Sequence, residues 1–315
     1  MPKPELSVII LSYNTKELLR QCLESVTSNQ LPVTSKSKKP TTDYRSPITE
    51  IIVVDNASKD GSPEMVEKEF PRVVLVCNKE NIGYSAGNNV GIKIAKGDFL
   101  LFLNSDTKVY KNALAEAVSF MKENPRIGAL SAKTLLPSGK MDPDCHRGFP
   151  HPWASLTYFL GLEKMFPKSR LFGQYHKSYL GFDENHEIDA GAGAFMLVRK
   201  EVVEKVGTWD EQYFFYGEDL DFFYRIKNAG FKVYFFAKPL LTHYKGASSG
   251  LRKESKKINR NPRENRIKVA QASVKAMEIF YRKFYKNLYP AWVTSLVLGG
   301  IKLKGSLRVL KHRLT

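Results

Sequence analysis

Short apolar runs alternate with helix-spaced segments over the first hundred residues, and this alternation restricts the fold more than any other feature. Residues 6–11 and 50–55 are continuous aliphatic and β-branched runs, typical of strands buried on both faces. Residues 16–28 have the spacing of an amphipathic helix. The other predicted elements are strands at 73–77 and 99–103, a helix that ends at Phe70, and a helix at 88–95. The pattern predicts an α/β fold with a mostly parallel central sheet flanked by helices.

The rest of the chain is less regular. Residues 135–187 are predicted to form loops and short elements over one edge of the sheet, where an acceptor would bind. Further strands are predicted at 191–199 and 232–236, and helices at about 262–285 and 289–314. Residues 32–47, rich in Lys, Ser, Thr and Pro, are typical of an inserted surface loop. We expect a domain over residues 1–250 and a basic amphipathic helical extension over 251–315.

The composition favours a folded protein of a reducing compartment. Hydrophobic residues make up 43% and aromatic residues 12% of the chain, which is ample for a buried core. Cys22, Cys77 and Cys145 are odd in number and have no metal-ligand spacing, so neither a disulfide framework nor a zinc module is expected. The N-terminus lacks the features of a signal peptide, and the apolar stretch 288–301 is too short to span a bilayer. A cytoplasmic protein is expected, peripheral on the inner face of the membrane if it is membrane-bound.

Positive charge is concentrated in the C-terminal extension. The chain has a formal net charge of +17, and residues 251–315 hold 17 Lys and Arg against three Glu, a net of +14. This predicts an anionic partner, either an anionic membrane surface or a nucleic acid, with the membrane favoured. The alternative is a pair of helices that pack on the domain and expose a solvated basic face.

Polar residues follow three of the predicted strands at their carboxyl ends, where ligands of parallel α/β sheets bind. These residues are Tyr13 and Asn14, Asp55 and Asn56, and Asn104 and Asp106. Asp106 at the mouth of a buried strand suits Mg²⁺ or Mn²⁺, which prefer oxygen ligands and keep waters and phosphate oxygens. The alternative for Asp55 is a turn or cap. For Asp106 it is the cap of a helix that starts near Val109.

A second acidic group lies among aromatic residues. Glu218, Asp219 and Asp221 repel one another, and apolar surroundings raise a carboxyl pKa, which suits a general base. The alternative is the acidic start of a helix, with Arg225 four residues after Asp221 as its ion-pair partner. We assign that structural part to Asp221 and the chemistry to Asp219.

His243 ends an apolar segment, and Lys245 opens the small-residue loop that follows. A lone histidine of this kind is more often a packing residue than a ligand. Close to Asp106 it would complete a metal site, and Lys245 would then meet a phosphate.

Taken together and in this order, the motifs resemble glycosyltransferase family 2, the inverting family with the GT-A fold. Residues 7–14, 51–62 and 81–91 resemble its nucleotide-binding half, residues 101–106 its metal-binding strand end, and residues 191–199 and 207–225 its acceptor half. The pattern is most similar to the bacterial rhamnosyltransferase-like members that build cell-surface polysaccharides. The resemblance implies a dTDP- or UDP-sugar donor, rhamnose-like, and a glycan or polyprenyl-linked acceptor.

The resemblance also implies roles for individual residues. Asp219 would be the catalytic base, with Glu218 beside it. Asp106 would bind Mg²⁺ or Mn²⁺, with His243 as a further ligand. The nucleotide would be bound by Ser12, Tyr13, Asn14, Asp55, Asn81, Gly83 and Asn104. The sequence departs from the family at the metal motif, where Asn104 replaces a first acidic residue and Ser105 a common proline. A single carboxylate makes metal binding depend more on His243 and the diphosphate.

Other functional classes are less consistent with the sequence. A nicotinamide dehydrogenase needs G-x-G-x-x-G after the first strand, where this chain has residues 12–15, Ser-Tyr-Asn-Thr. A sugar nucleotidyltransferase needs a Gly-rich, basic first loop. A non-catalytic nucleotide-sugar or nucleic-acid binding protein that uses the basic extension stays open as an alternative.

Overall fold

A computed structural model describes residues 3–29, 47–245 and 263–314. The strands are β1 Leu6–Ser12, β2 Thr49–Asp55, β3 Val74–Cys77, β4 Phe99–Asn104, β5 Thr107–Val109, β6 Ile127–Leu135, β7 His186–Ile188, β8 Phe195–Arg199 and β9 Lys232–His243. The helices are α1 Lys16–Ser28, α2 Ser62–Glu69, α3 Tyr84–Ile94, α4 Ala113–Glu123, α5 Pro152–Phe159, α6 Leu162–Met165, α7 Lys200–Val206, α8 Glu218–Asn228, α9 Arg263–Phe284 and α10 Ala291–Leu314.

One mixed sheet forms the centre of the protein. Its strand order is β3-β2-β1-β4-β8-β6-β9-β5, with β7 paired to β9 beside this path. The first four strands in that order are parallel to one another, whereas β8 runs antiparallel to both β4 and β6. The α/β architecture is therefore as expected. Its parallel order holds for the N-terminal strands, and the second half of the sheet is mixed.

Helices cover both faces of the sheet because its central strands are apolar on both sides. Val8 and Ile10 point into the core beneath α1, α2 and α4, where Leu19 and Met65 also lie. Ile9, on the opposite face, belongs to the core formed with α3, α7 and α8. Burial on both faces explains why β1 is a continuous aliphatic run rather than an alternating one.

Several elements differ from the sequence prediction. The helix expected near Val109 begins at Ala113, and Asn112 in the left-handed region precedes it. The alternative that Asp106 caps this helix is therefore wrong, because β5 intervenes and pairs with β9. Strand β6 was not predicted from the sequence. The strand expected at 232–236 extends to His243, with bulges where it pairs with β6, and its last residues pair with β5.

The two helices expected at the C-terminus are present as α9 and α10, each a single helix. The insertion at 32–47, except Pro47, and the segment 246–262 lie outside the described residues. The division of the chain at residue 250 therefore stays a prediction. Of the helices in the described ranges, none combines the length and the apolar character needed to cross a membrane. The three cysteines are free.

Candidate active site

The loops after β1 and β2 are joined at the carboxyl edge of the sheet. The backbone N–H of Asn14 donates to Ser58 Oγ at 2.9 Å, and Asn14 Oδ1 accepts from the N–H of Lys59 at 2.8 Å. Asn14 has φ +53°, a conformation that Asn tolerates better than most residues. Ser12 Oγ lies 3.1 Å from Thr15 Oγ1, and the partly exposed Tyr13 stands between them in the chain. Asn14 thus shapes this edge by holding the two loops together.

Asp55 lies at the same edge and has an incompletely satisfied carboxylate. Its Oδ2 accepts from the N–H of Ser58 at 2.7 Å, whereas the buried Oδ1 has no hydrogen-bond partner in the described structure. Asp55 is 1% exposed, and burial raises the pKa of its carboxyl. A buried polar atom of this kind is unfavourable unless a ligand donates to it. The N–H of a nucleotide base would supply such a donor.

The segment before α3 connects this edge to the acidic segment. Asn81 Oδ1 accepts from the N–H of Gly83 at 3.0 Å, and Asn56 Nδ2 donates to the carbonyl of Gly83 at 3.0 Å. Gly83 has φ +90°, and Phe214 packs directly against it. The N–H of Tyr84 donates to the carbonyl of Phe214 at 2.8 Å. These contacts place the start of α3 beside the chain that leads into α8.

Tyr84, which the sequence analysis did not single out, links three parts of the site. Its hydroxyl lies 3.2 Å from Asn104 Oδ1 and 3.0 Å from the carbonyl oxygen of Gly193. Burial raises the pKa of Tyr84 well above its usual value, and the charges of Glu218 and Asp219 add to the effect. Tyr84 is therefore a neutral donor that orients Asn104. Its position within the motif at 81–91 is the one signal that could have indicated it.

The predicted metal residues are in direct contact. Thr107 pairs with His243 in the β5–β9 ladder, and Asp106 Oδ1 lies 3.1 Å from His243 Nε2. Asp142 Oδ2 lies 3.5 Å from the other ring nitrogen, Nδ1. Burial opposes the charged imidazolium, but the two carboxylates outweigh it and raise the pKa of His243 to about 9. Asp142 thus lies at ion-pair distance on one side of the ring, where Nδ1 has no hydrogen-bond partner in the described structure, while Nε2 faces Asp106.

This pair fits a divalent cation. Adjacent ligands of an octahedral Mg²⁺, each about 2.1 Å from the ion, lie about 3.0 Å apart, close to the separation of these two donor atoms. A carboxylate behind the imidazole is the usual support of a metal-binding histidine. Within residues 3–29, 47–245 and 263–314, no group of three or more His, Cys, Asp and Glu side chains is arranged to hold a metal. Phosphate oxygens and waters would have to complete the ligand set.

Lys245 does not stand free to meet a phosphate in this structure. Its ammonium donates to Asp142 Oδ1 at 2.6 Å and also contacts Asp144. It therefore neutralises the carboxylate that supports His243.

The three acidic residues at the start of α8 have different surroundings. Asp221 is fully buried and pairs with Arg225 at 2.6 Å and with Lys283 at 2.7 Å, in agreement with its structural assignment. Glu218 is buried with Oε2 unpartnered, and burial together with the charge of Asp219 raises the pKa of Glu218 to about 8. Glu218 therefore keeps its proton at neutral pH. The elevated pKa expected for this cluster belongs to Glu218.

Asp219 is paired with a buried arginine that the sequence analysis missed. Asp219 Oδ2 accepts from Arg147 Nη2 at 2.5 Å, and Oδ1 accepts from the N–H of Leu220 at 2.8 Å. Arg147 also donates to the carbonyl of Gly191 and is bridged through its backbone to Ala190. No motif surrounds Arg147 in the sequence, because its partners come from distant segments.

The chain matches the model of the family described as Glycosyl transferase family 2 over residues 7–207. It is 26% identical over 253 residues to the O-antigen biosynthesis protein RfbC of Myxococcus xanthus; the match covers 78% of this chain but 18% of that protein. It is 27% identical over 221 residues to the N-acetylglucosaminyl-diphospho-decaprenol L-rhamnosyltransferase of Mycobacterium tuberculosis. This match covers 64% of this chain and 68% of that protein. This chain thus corresponds to a small part of RfbC.

The fold is also similar to that of solved glycosyltransferases. The structure of a mannosyltransferase from Pyrobaculum calidifontis, in complex with GDP-Man and Mn²⁺, aligns over 100% of this chain and 74% of that one, with a TM-score of 0.55 and 17% identity. This likeness confirms the expected GT-A fold.

Proposed function

This chain belongs to glycosyltransferase family 2, and we propose that it transfers a sugar from a nucleoside diphosphate to an acceptor hydroxyl by a single displacement. The observation that supports this most is the convergence of two groups on Tyr84. Asn104 contacts the Tyr84 hydroxyl, and the Tyr84 N–H donates to the carbonyl of Phe214 in the segment that leads to Glu218 and Asp219. Donor and acceptor residues predicted from separate motifs thus share one edge of the sheet.

On the donor side, the proposed nucleotide-binding residues are Ser12, Tyr13, Asn14, Asp55, Asn81, Gly83 and Asn104. Asp55 Oδ1 is the acceptor available to a base N–H. Asn14 and Gly83 act indirectly, since each holds a turn that borders the site. Asn14 does so through its N–H and its side-chain oxygen, and Gly83 through its carbonyl.

Asp106 and His243 are the proposed ligands of Mg²⁺ or Mn²⁺, with Asp142 holding the imidazole in place. A divalent cation bound there would neutralise the charge that develops on the departing diphosphate. The Mn²⁺ in the mannosyltransferase complex supports a divalent cation as the cofactor.

On the acceptor side, Asp219 is the proposed base. It removes the proton of the acceptor hydroxyl, whose oxygen attacks the anomeric carbon as the bond to the diphosphate breaks. Glu218 holds its own proton at neutral pH, so it serves as a hydrogen-bond donor next to the base. Arg147 orients the Asp219 carboxylate.

We further propose a rhamnose-like sugar carried by dTDP or UDP, and a glycan or polyprenyl-linked acceptor of a cell-surface polysaccharide. The names of the Mycobacterium tuberculosis and Myxococcus xanthus relatives, a rhamnosyltransferase of a decaprenol-linked sugar and an O-antigen biosynthesis protein, support this class. A lipid-linked acceptor in turn suits a cytoplasmic enzyme that is peripheral on the inner face of the membrane. A non-catalytic binding protein would not need a base such as Asp219.

The proposal is tested by thermal unfolding of the full chain with dTDP, UDP or GDP and their common sugars, each with Mn²⁺ or Mg²⁺ and again with EDTA. One nucleotide diphosphate is expected to stabilise the protein by about 2.7 kcal/mol at a concentration of about 100 Kd, and only with metal. Asp106→Ala should abolish this shift. Asp183→Ala, at an exposed position on the surface, is the matched control.

Catalysis is tested separately with Asp219→Asn. This variant should bind the donor as the wild type does but lose about 10²- to 10⁴-fold in transfer rate. Unchanged transfer would refute Asp219 as the base. Absence of a shift with every nucleotide would refute the donor site and favour the nucleic-acid binding alternative, in which the basic extension carries the function.

A further inference from the structure

Helix α10 has an exposed apolar stripe between Trp292 and Leu310. Trp292, Leu296, Leu303, Leu307 and Leu310 are between 51% and 67% exposed. They are separated by four, seven, four and three residues, so they share one face of the helix. We refer to these five residues as the α10 face.

The opposite side of α10 holds the helix to α9. Gly305 packs against Val274, where an added methyl group would lie 2.7 Å from the valine side chain. Arg308 Nη1 donates to Ser273 Oγ at 2.8 Å, and Thr294 Oγ1 lies 3.1 Å from the phenolic oxygen of Tyr281. The α10 face is therefore not the side of the helix that packs against α9, and its side chains are exposed in the described structure.

Basic residues border the α10 face on both sides. Lys302 and Lys304 precede and follow Leu303, and a rotation of about 100° per residue places them on opposite flanks of the stripe. Both are exposed. The sequence of α10 contains no Asp or Glu. A neutral apolar partner would contact the apolar stripe but would have no charge to pair with the flanking ammonium groups. An anionic interface would contact both.

A second apolar surface adjoins the first. Lys304 Nζ lies 3.5 Å from the centroid of the Phe159 ring at the end of α5. Phe159, Leu160 and Met165 are exposed. The lysine thus connects the α10 face to the exposed apolar side chains of α5 and α6. Monomeric proteins rarely expose an apolar area of this extent without a binding partner.

We propose that the α10 face, together with the α5–α6 side chains beside it, binds the surface of an anionic phospholipid bilayer. The helix lies in the plane of the interface, with its leucines and Trp292 at the acyl boundary and its lysines at the headgroups. The surface lies on the same helical pair that packs against α8, so it would hold the active site close to a lipid-linked acceptor. Only this last point rests on the proposed function, because membrane binding is measured without transfer.

The test is flotation of the full chain with vesicles of phosphatidylcholine alone and of phosphatidylcholine and phosphatidylglycerol in equal parts. The wild type should float with the anionic vesicles, and the double variant Leu296→Asp with Leu303→Asp should be recovered at least about tenfold less. Val74→Asp with Ile94→Asp, which makes the same charge change at exposed aliphatic residues of β3 and α3, should float as the wild type does.

Four results would overturn the proposal. Equal flotation of the double variant and the wild type would assign binding to another segment. Flotation of the wild type with neither kind of vesicle, or equally with both, would contradict binding to an anionic surface. A wild-type dimer in light scattering that is lost in the double variant would make the α10 face an interface between copies. Unchanged donor-induced thermal shifts in the double variant show that it is folded; if the aspartates unfold it, Leu296→Ser with Leu303→Ser replaces it.

Discussion

At the scale of residues, the pairing of Asp219 with Arg147 distinguishes the two acidic side chains at the start of α8. Asp219 faces a guanidinium at 2.5 Å, whereas Glu218 has an unpartnered oxygen in an apolar setting. These two neighbours in the sequence therefore have different electrostatic surroundings, and burial together with the charge of Asp219 raises the pKa of Glu218 to about 8. This difference supports our proposal that Asp219 is the base.

Replacing Arg147 should affect both stability and transfer. Arg147→Met leaves the Asp219 carboxylate without its partner, and we expect a loss of about 3 kcal/mol in the free energy of unfolding. Adding Asp219→Asn removes the unpaired charge, so the double variant should regain part of that stability. Urea unfolding of the four proteins of this cycle measures the coupling between the two residues.

Transfer should not recover in the same way. Both Arg147→Met and the double variant should be inactive, because the first misorients the base and the second lacks it. Arg126→Met, at an exposed arginine, is the control and should match the wild type in stability and rate. Wild-type transfer by Arg147→Met would refute the positioning role of Arg147.

At the scale of elements, the close contact between the start of α3 and the chain before α8 joins the donor and acceptor halves. Gly83 makes this contact possible in two ways. Its φ of +90° is in a region that favours glycine, and a methyl group there would lie 2.7 Å from the Phe214 ring and 2.8 Å from its carbonyl oxygen. The N–H of Tyr84 could not then reach Phe214 at its present distance.

A pair of glycine variants separates these two effects. Gly139 has φ +78° and nothing within 4 Å of an added methyl group, so Gly139→Ala incurs only the conformational cost of about 1 kcal/mol. Gly83→Ala should lose about 1–3 kcal/mol more, because the backbone of Phe214 must move. Denaturant unfolding gives both values. Donor-induced stabilisation should fall in Gly83→Ala alone, and equal effects in the two variants would contradict the proposed contact.

At the scale of the whole molecule, the C-terminal helices pack against α8, the helix that begins with Glu218 and Asp219. Tyr224 of α8 stacks against Phe284 of α9 with ring centroids 4.2 Å apart. Lys283 bridges Asp210 at 2.6 Å and the fully buried Asp221 at 2.7 Å. Helix α9 thus stabilises the position of α8 through an ion pair and an aromatic contact.

Removal of the Lys283 bridge should lower the stability of the protein. Lys283→Met is expected to cost about 1–2 kcal/mol in the free energy of unfolding, less than a buried pair broken outright, because Asp221 keeps Arg225 as a partner. Lys286→Met, an exposed lysine shortly after the same helix, should cost little. Urea unfolding compares the two variants, and equal stabilities would show that the bridge does not hold α9 in place.

The sequence alone determined the N-terminal half of the fold and the family. The predicted helix at 16–28 agrees with α1 in both bounds, and the strands ending near Asp55 and Asn104 end where expected. Burial patterns and turn chemistry are local, so each of these segments shows its own periodicity. The order of the motifs led to glycosyltransferase family 2, which the family match confirms. The roles of the individual site residues stay predictions.

Only the tertiary structure decided which side chains meet. Asp106 and His243 are 137 residues apart in the chain, and Arg147 and Asp219 are 72 apart. Strand pairing between β5 and β9 brings the first pair together, and the bridge between Arg147 and Ala190 helps to place the second. No local pattern reports such contacts, because the free energy that forms them comes from the sheet and the core as a whole. The exposure of the α10 face has the same origin, since an apolar stripe looks alike in the sequence whether it packs inward or faces solvent.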